Sequence, residues 1–191
     1  ARLGLRRPDV LGWSMGGYIA QELAIHHPNS VRRLVLAATD PGSPKAIPTP
    51  EWVIKVFENP ETTTEDLVSL LFPRAHEAAA RAWMARIPRW PELRKEYFYV
   101  APETVAAQNR AEGALWYGRG RGAYADLPRI RHRALVAAGL KDVVVPPRNS
   151  RIIAGRLPNA ELVTYKDAGH GFLIQNHAAF ARKVIRFLAA P

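Results

Sequence analysis

The 191-residue sequence has no cysteine and only two methionines, and its basic residues far outnumber its acidic ones. Without cysteine the chain has no disulfide bond, thiolate metal ligand or thiol nucleophile, and we expect a cytoplasmic protein. No apolar run is long enough to cross a membrane, so no membrane span is predicted. The sequence opens on Ala1 with no charged and apolar leader, and we expect it to be part of a longer protein.

The net charge of +10 comes from 27 lysines and arginines against 17 aspartates and glutamates. These basic residues are scattered along the whole chain, and the aromatic residues are not interleaved with them as stacking platforms would require. The charge therefore does not predict a nucleic-acid partner. The sequence leaves the oligomeric state open.

The most informative stretch is residues 10–17, where an apolar pair leads into Gly-Trp-Ser-Met-Gly-Gly and a helical pattern follows. This order predicts a strand, a sharp turn carrying Ser14, and a helix, which is typical of a nucleophile elbow. Gly12 and Gly16 flank the serine, and we expect their missing side chains to let strand and helix approach closely.

Two later segments predict further polar groups at strand ends. Residues 135–140 and 160–165 read as strands, and Asp142 and His170 follow them closely. Strands that alternate with helices predict a parallel α/β sheet covered on both faces. Because parallel strands end at one edge of the sheet, we expect Ser14, Asp142 and His170 to meet there.

These residue types have complementary chemistry. A serine hydroxyl needs a neighbouring base in order to attack, and an imidazole takes up and releases a proton near neutral pH. Asp142 would orient the His170 ring, and the backbone N–H of Met15 would donate to an oxyanion. Asp40 ends the preceding strand and is an alternative acid. Taken singly, each member could instead be a turn serine, a loop cap or a surface histidine.

The motifs GWSMGG, GLKDVVVP and DAGHGF resemble the nucleophile elbow, acid loop and histidine loop of the α/β-hydrolase superfamily. The resemblance is to the branch with a helical cap inserted after the sixth strand. It implies the C-terminal part of an α/β-hydrolase fold, a mostly parallel sheet with a helical cap insertion. It also implies that the family's first four strands and its second oxyanion donor lie outside this sequence, so full activity is expected only together with them.

The chain is predicted to divide into core residues 1–40, a helical cap over residues 41–126, and core residues 127–191. A proline-rich stretch opens the middle segment, and a helical pattern continues to about residue 117. Aromatic residues there form either the core of a helical subdomain or the lining of a substrate pocket. The candidates for the pocket are Trp13, Trp83, Trp116 and Phe172.

The sequence thus predicts a serine hydrolase that cleaves a small carboxylic ester or related carbonyl compound through an acyl-enzyme, without metal or cofactor. The resemblance leaves open a C–C bond hydrolase or a perhydrolase with the same triad. It also leaves open a non-catalytic, hydrolase-like binding protein or truncated remnant. Serine at the elbow argues against the family's haloalkane dehalogenases and epoxide hydrolases, which need aspartate there.

Overall fold

A parallel sheet of four strands, in the order β1-β2-β3-β4, forms the centre of the molecule in a computed structural model that describes residues 4–86, 101–118 and 122–190. Each neighbouring pair of strands is parallel. This confirms the predicted fold class. The strands are β1 (Val10–Trp13), β2 (Arg33–Ala37), β3 (Arg133–Gly139) and β4 (Ala160–Tyr165).

Helices follow or cover each strand within the described residues, and short helical turns join several of them. The 3₁₀ turns are Pro28–Ser30, Arg74–His76 and Leu127–Arg129, and Glu112–Trp116 is a π-helical turn. The α-helices are α1 (Met15–His26), α2 (Glu51–Glu58), α3 (Thr64–Leu71), α4 (Glu77–Met84), α5 (Pro102–Ala111), α6 (Arg148–Arg156), α7 (Phe172–Gln175) and α8 (His177–Ala189).

The middle strands are buried on both faces, because alternate side chains of a strand point to opposite sides of the sheet. Leu34 and Leu36 of β2 pack with α1 and with Ile153 of α6. Val35 of the same strand packs on the other side with Phe187 of α8. Two apolar cores therefore sandwich the sheet and hold its strand ends in place.

The strand register brings three loop-bearing ends to one edge. Trp13 pairs with Ala37, and Ala37 pairs in turn with Ala137 near the end of β3. The last residue of β3, Gly139, pairs with Tyr165, the last residue of β4. The segments after β1, β3 and β4 therefore leave the sheet on the same side.

The described part of residues 41–126 contains helices α2 to α5 and contributes no strand to the sheet. Residues 87–100 and 119–121, with several of the aromatic residues predicted to be in the cap, lie outside the described residues. The division of the chain into core and cap remains a prediction.

Two local patterns in the sequence predict features that the structure contradicts. The Thr-x-x-Glu pattern of Thr62 and Glu65 predicts a capping box, but Thr63 and Asp66 form the box at the start of α3, while the hydroxyl of Thr62 donates to the carbonyl of Val56. Helical spacing places Ile19 on a buried face of α1 with Met15 and Leu23, but Ile19 is 61% exposed. The face of α1 that packs on the sheet contains the neighbouring residues Tyr18 and Ala20.

Candidate active site

Ser14 occupies a sharp turn between β1 and α1. Its φ of 54° and ψ of −124° are a conformation that residues with a Cβ seldom adopt. The backbone N–H of Ser14 donates to the carbonyl of Ala37 (3.0 Å), and the N–H of Gly17 donates to the carbonyl of Ser14 (2.8 Å). The end of β2 and the first turn of α1 therefore hold the unusual backbone in place.

Two glycines make this turn possible. A Cβ on Gly12 would lie 2.2 Å from the carbonyl oxygen of Gly16, and one on Gly17 would lie 2.4 Å from the hydroxyl oxygen of Thr39. A Cβ on Gly16 would meet nothing within 4 Å beyond its own helix. The close approach therefore requires glycine at 12 and 17, which corrects the expectation that a side chain at position 16 would obstruct it.

His170 and Asp142 form a buried pair. The Nδ1 of His170 lies 2.9 Å from Oδ2 of Asp142, and their side chains are 4% and 0% exposed. The other carboxylate oxygen accepts hydrogen bonds from the backbone N–H groups of Val144 (2.9 Å) and Val145 (2.8 Å). Three donors thus fix the carboxylate, and the pair leaves Nε2 of the imidazole on the side away from Asp142.

Trp13 connects this pair to the serine turn. Its indole N–H donates to the carbonyl of His170 (3.1 Å), and the centroids of the two rings are 5.3 Å apart. Since Trp13 immediately precedes Ser14, the histidine loop lies against the end of β1. The hydroxyl of Ser14 makes no hydrogen bond within the described residues, and the backbone N–H of Met15 has no acceptor there. The pairing of Ser14 with His170 remains a prediction.

Asp40 is buried with other partners. One carboxylate oxygen accepts from the N–H of Gly42 (2.7 Å) and the indole N–H of Trp116 (2.9 Å). The other accepts from the hydroxyls of Tyr18 (2.9 Å) and Tyr117 (2.6 Å). Burial and, to a smaller extent, the negative charge of Asp40 raise the pKa of both tyrosines, so their hydroxyls stay protonated and can donate. The histidine thus bonds to Asp142 and not to the alternative acid.

Two of the four candidate pocket residues are core residues in this structure. Phe172 is fully buried and stacks on Tyr165, and Trp116 is 4% exposed and stacks on Tyr18. Their assignment to a substrate pocket remains a prediction. Trp83 is half-buried on α4, with its ring centroid 6.1 Å from that of Phe72.

Helices α2 and α3 pack against the acid and histidine loops. The N–H of Gly171 donates to the carbonyl of Leu71 at the end of α3 (2.8 Å). Val53 of α2 and Leu70 of α3 form an apolar cluster with Val144 and Val145 of the acid loop. In the sequence, the local signal for these contacts is the pair of glycines that flank His170, where a Cβ would lie 2.8 Å (Gly169) or 3.1 Å (Gly171) from the carbonyl oxygen of Leu71.

An exposed ion pair ties the two loops together on their outer side. The Nζ of Lys141 lies 3.1 Å from a carboxylate oxygen of Asp167. The hydrogen bond from Lys141 lowers the pKa of Asp167, which keeps that carboxylate charged. Because both side chains face solvent, the pair adds little stability of its own.

The described residues contain a cavity of about 400 Å³ between α3 and α4. No group of three or more histidine, aspartate or glutamate side chains in the described ranges could hold a metal ion. Of the helices described, none is long and apolar enough to span a bilayer. The cavity is lined by Glu65, Asp66, Val68, Ser69, Phe72, Arg74, Glu77, Ala80, Arg81 and Met84.

Comparison with known proteins identifies the family of this chain. The family described as alpha/beta hydrolase fold matches residues 1–177. A poly(3-hydroxyalkanoate) depolymerase of Ectopseudomonas oleovorans is 31% identical over 187 residues, which cover 94% of this chain and 60% of that protein. A 2-hydroxymuconate semialdehyde hydrolase of Pseudomonas putida is 26% identical over 202 residues, which cover 98% and 64%.

Among solved structures, a hydrolase from Pseudomonas aeruginosa has a TM-score of 0.75 and 29% identity, covering 99% of this chain and 67% of that one. The chain belongs to the α/β-hydrolase fold family, which confirms the resemblance inferred from its three motifs. It spans 60% of the length of the depolymerase and 64% of that of the semialdehyde hydrolase.

Proposed function

We propose that this chain carries the nucleophile, base and acid of a serine hydrolase, and that these are Ser14, His170 and Asp142. The buried hydrogen bond between His170 and Asp142 is the observation that carries the proposal. Burying an imidazole and a carboxylate costs free energy that their hydrogen bond offsets, and buried pairs of titratable groups concentrate at functional sites. Two observations support Ser14 as the nucleophile. Its φ is positive, as in a sharp turn, and the indole N–H of the preceding Trp13 donates to the carbonyl of His170.

The roles follow from the positions of the protons. Asp142 accepts the Nδ1 proton of His170, which leaves Nε2 with the lone pair that a general base needs. Nε2 takes the hydroxyl proton as the oxygen of Ser14 attacks the substrate carbonyl, and it then returns that proton to the leaving group. In the second half-reaction Nε2 takes a proton from water as the water oxygen attacks the acyl carbon. The proton then passes to the oxygen of Ser14 as the acid product leaves. Asp142 stays ionised and stabilises the imidazolium that forms in each half-reaction.

The N–H of Met15 is the proposed first donor to the oxyanion. It is the first N–H of α1, so no intrahelical acceptor is available to it, and it follows the nucleophile directly. The positive end of the helix dipole would add to the stabilisation of a developing negative charge. A second donor would have to come from outside the described residues of this chain.

A carboxylic ester is the proposed substrate class. The name of the depolymerase gives a polymer of 3-hydroxyalkanoate units, which are joined through ester bonds, and that protein is 31% identical to this chain. The acyl-enzyme route needs only a carbonyl carbon and a leaving group that accepts a proton. No metal or cofactor enters any step of the proposal.

A C–C bond hydrolase is a second candidate, because a relative 26% identical to this chain is a 2-hydroxymuconate semialdehyde hydrolase. The same three residues would serve, with a carbon leaving group that must be protonated on cleavage. Loss of the absorbance of 2-hydroxymuconate semialdehyde on incubation with the full-length protein, with no hydrolysis of simple esters, would favour this candidate.

A phosphonylating probe tests the ester-hydrolase proposal in the full-length protein. A fluorophosphonate reacts with a serine only where a base activates its hydroxyl, so we expect one labelled peptide, containing Ser14. His170→Ala should abolish labelling. His132→Ala is the control and should label normally, because His132 precedes β3 and lies at the end of the strand opposite to the acid loop. Labelling of another serine, or equal labelling in His170→Ala, would contradict the assignment.

A further inference from the structure

The segment between β2 and β3 begins and ends with two stretches of chain that are hydrogen-bonded to each other. We call residues 41–43 the outgoing crossing and residues 116–118 and 122–123 the returning crossing. The N–H of Ser43 donates to the carbonyl of Trp116 (2.9 Å), and the N–H of Ala123 donates to the carbonyl of Pro41 (2.8 Å). The two ends of the segment are therefore held as a pair.

Glycine is required where the crossings touch. A Cβ on Gly42 would lie 2.6 Å from the Cα of Gly122, and one on Gly122 would lie 2.7 Å from the Cα of Gly42. Both glycines have positive φ, 71° and 32°. Because the two backbones pack so closely, neither crossing can shift along the other. A residue that holds this contact therefore also fixes the direction in which the segment leaves the sheet.

Asp40 is the anchor on which these parts converge. Its carboxylate accepts from Gly42 on the outgoing crossing, from Trp116 and Tyr117 on the returning crossing, and from Tyr18 on α1. Each of the two oxygens takes two of the four bonds. Asp40 forms no ion pair with any described residue, so neutral donors alone satisfy this buried charge.

The same cluster reaches the helix that begins at the nucleophile. Tyr18 lies one helical turn after Ser14, and its ring stacks on Trp116 with centroids 4.5 Å apart. The side-chain amide of Gln21 donates both to the carbonyl of Asp40 (3.1 Å) and to that of Gly17 (3.0 Å). The crossings are thus fixed relative to the first turns of α1.

We propose that Asp40 is a positioning residue that sets where the described parts of this segment, residues 41–86, 101–118 and 122–126, sit relative to the Ser14 site. A buried carboxylate is costly, and an apolar side chain of similar size would pack at lower cost. What the carboxylate adds is four directional bonds that meet at one point. The inference rests on the proposed function only in its effect on catalysis, because the anchoring itself is independent of the reaction.

Because α2 and α3 of this segment pack against the acid and histidine loops, loosening the anchor should weaken substrate binding more than it slows chemistry. The proton path through His170 and Asp142 does not pass through Asp40. We therefore expect a raised KM with a nearly unchanged kcat when the anchor is weakened.

The experiment compares Tyr117→Phe with Tyr124→Phe in the full-length protein. Tyr117→Phe removes the 2.6 Å bond to Asp40 and the 2.7 Å contact with the hydroxyl of Tyr18, and the residue is 39% exposed, so the variant should fold. Tyr124 lies just beyond the returning crossing, packs on Arg156 and donates no hydroxyl hydrogen bond within the described residues, so it is the matched control. The readouts are hydrogen exchange at Ser43 and Ala123, and kinetics with p-nitrophenyl butyrate.

Tyr117→Phe should speed exchange of both amides about 5- to 10-fold and raise KM about 3- to 10-fold with kcat within about 2-fold, as the loss of one hydrogen bond implies. Tyr124→Phe should match wild type in all of these. Asp40→Asn should shift the same quantities further. If the wild type hydrolyses no ester, the proposed function fails, and the exchange comparison alone decides the anchoring.

Three results would overturn the proposal. The first is unchanged exchange at Ser43 and Ala123 in Tyr117→Phe. The second is a lowered melting temperature with neither exchange nor KM altered, which would make the cluster only a source of stability. The third is a collapse of kcat in Asp40→Asn with KM and exchange unchanged, which would make Asp40 the catalytic acid.

Discussion

The imidazole of His170 bonds to the carboxylate of Asp142 across 2.9 Å, and both side chains are withdrawn from solvent. The two residues lie on loops that follow different strands, 28 positions apart in the sequence. The backbone N–H groups of Val144 and Val145 hold the carboxylate from the other side. The orientation of the imidazole is therefore set by the acid loop.

Asp142→Asn should lower kcat by roughly 10⁴-fold, the size of the effect in the serine-protease triad. The amide would present an N–H to Nδ1 of His170 and force the proton onto Nε2, which then has no lone pair for the serine. Steady-state kinetics on an ester measure the loss. Asp40→Asn is the matched change at the alternative acid and should leave kcat nearly intact, and the reverse ranking would contradict the assignment.

Ser14→Ala should remove most ester hydrolysis without unfolding the protein, because alanine meets the same backbone demand as serine at a positive φ. We expect a loss of at least about 10³-fold in kcat with a circular dichroism spectrum like that of wild type. Ser30→Ala changes an exposed serine just after α1 and provides the control. Turnover that survives Ser14→Ala would mean that another group is the nucleophile.

Gly12→Ala should destabilise the fold by about 1–3 kcal/mol, because its Cβ would lie 2.2 Å from the carbonyl oxygen of Gly16 and force β1 and α1 apart. Denaturant unfolding measures the change. Gly16→Ala adds a Cβ where nothing lies within 4 Å beyond the helix itself, so it should be neutral or slightly stabilising. Equal stability of the two variants would show that the elbow is not tightly packed.

Glu112 is expected to reduce stability at neutral pH. Burial, and next the charge of Asp40, raises the pKa of Glu112 above its ordinary value of 4.5. The unfolded chain therefore loses this proton at a lower pH than the folded protein does. The stability that the protonated carboxyl contributes is fully present below pH 4.5, and it is lost as the pH rises through the pKa of the folded state.

Glu112→Gln should therefore raise the melting temperature at about pH 7, by roughly 1–2 °C once solvent screening of a half-exposed group is allowed for, and have little effect at about pH 4. Glu103→Gln, on an exposed position of α5, should have no such pH-dependent effect. A melting temperature lowered at neutral pH would contradict the direction of the pKa shift.

The sequence determined the parts of this protein that depend on short-range chemistry. Alternating strand and helix patterns predicted the parallel sheet, and β4 begins and ends where the pattern placed it. The small residues around Ser14 predicted the turn, although the structure requires glycine at 12 and 17 and not at 16. The positions of Asp142 and His170 just after strands predicted their common edge.

Tertiary structure decided which groups became partners. Asp40 and Asp142 both follow strands, and only the fold shows that tyrosine and tryptophan donors surround the first while His170 meets the second. Phe172 reads as a pocket residue beside His170, yet it is buried against Tyr165. Local sequence fixes backbone turns within a few residues, whereas the partner of a buried carboxylate is set by side chains that the chain brings together from 20 to 80 positions away.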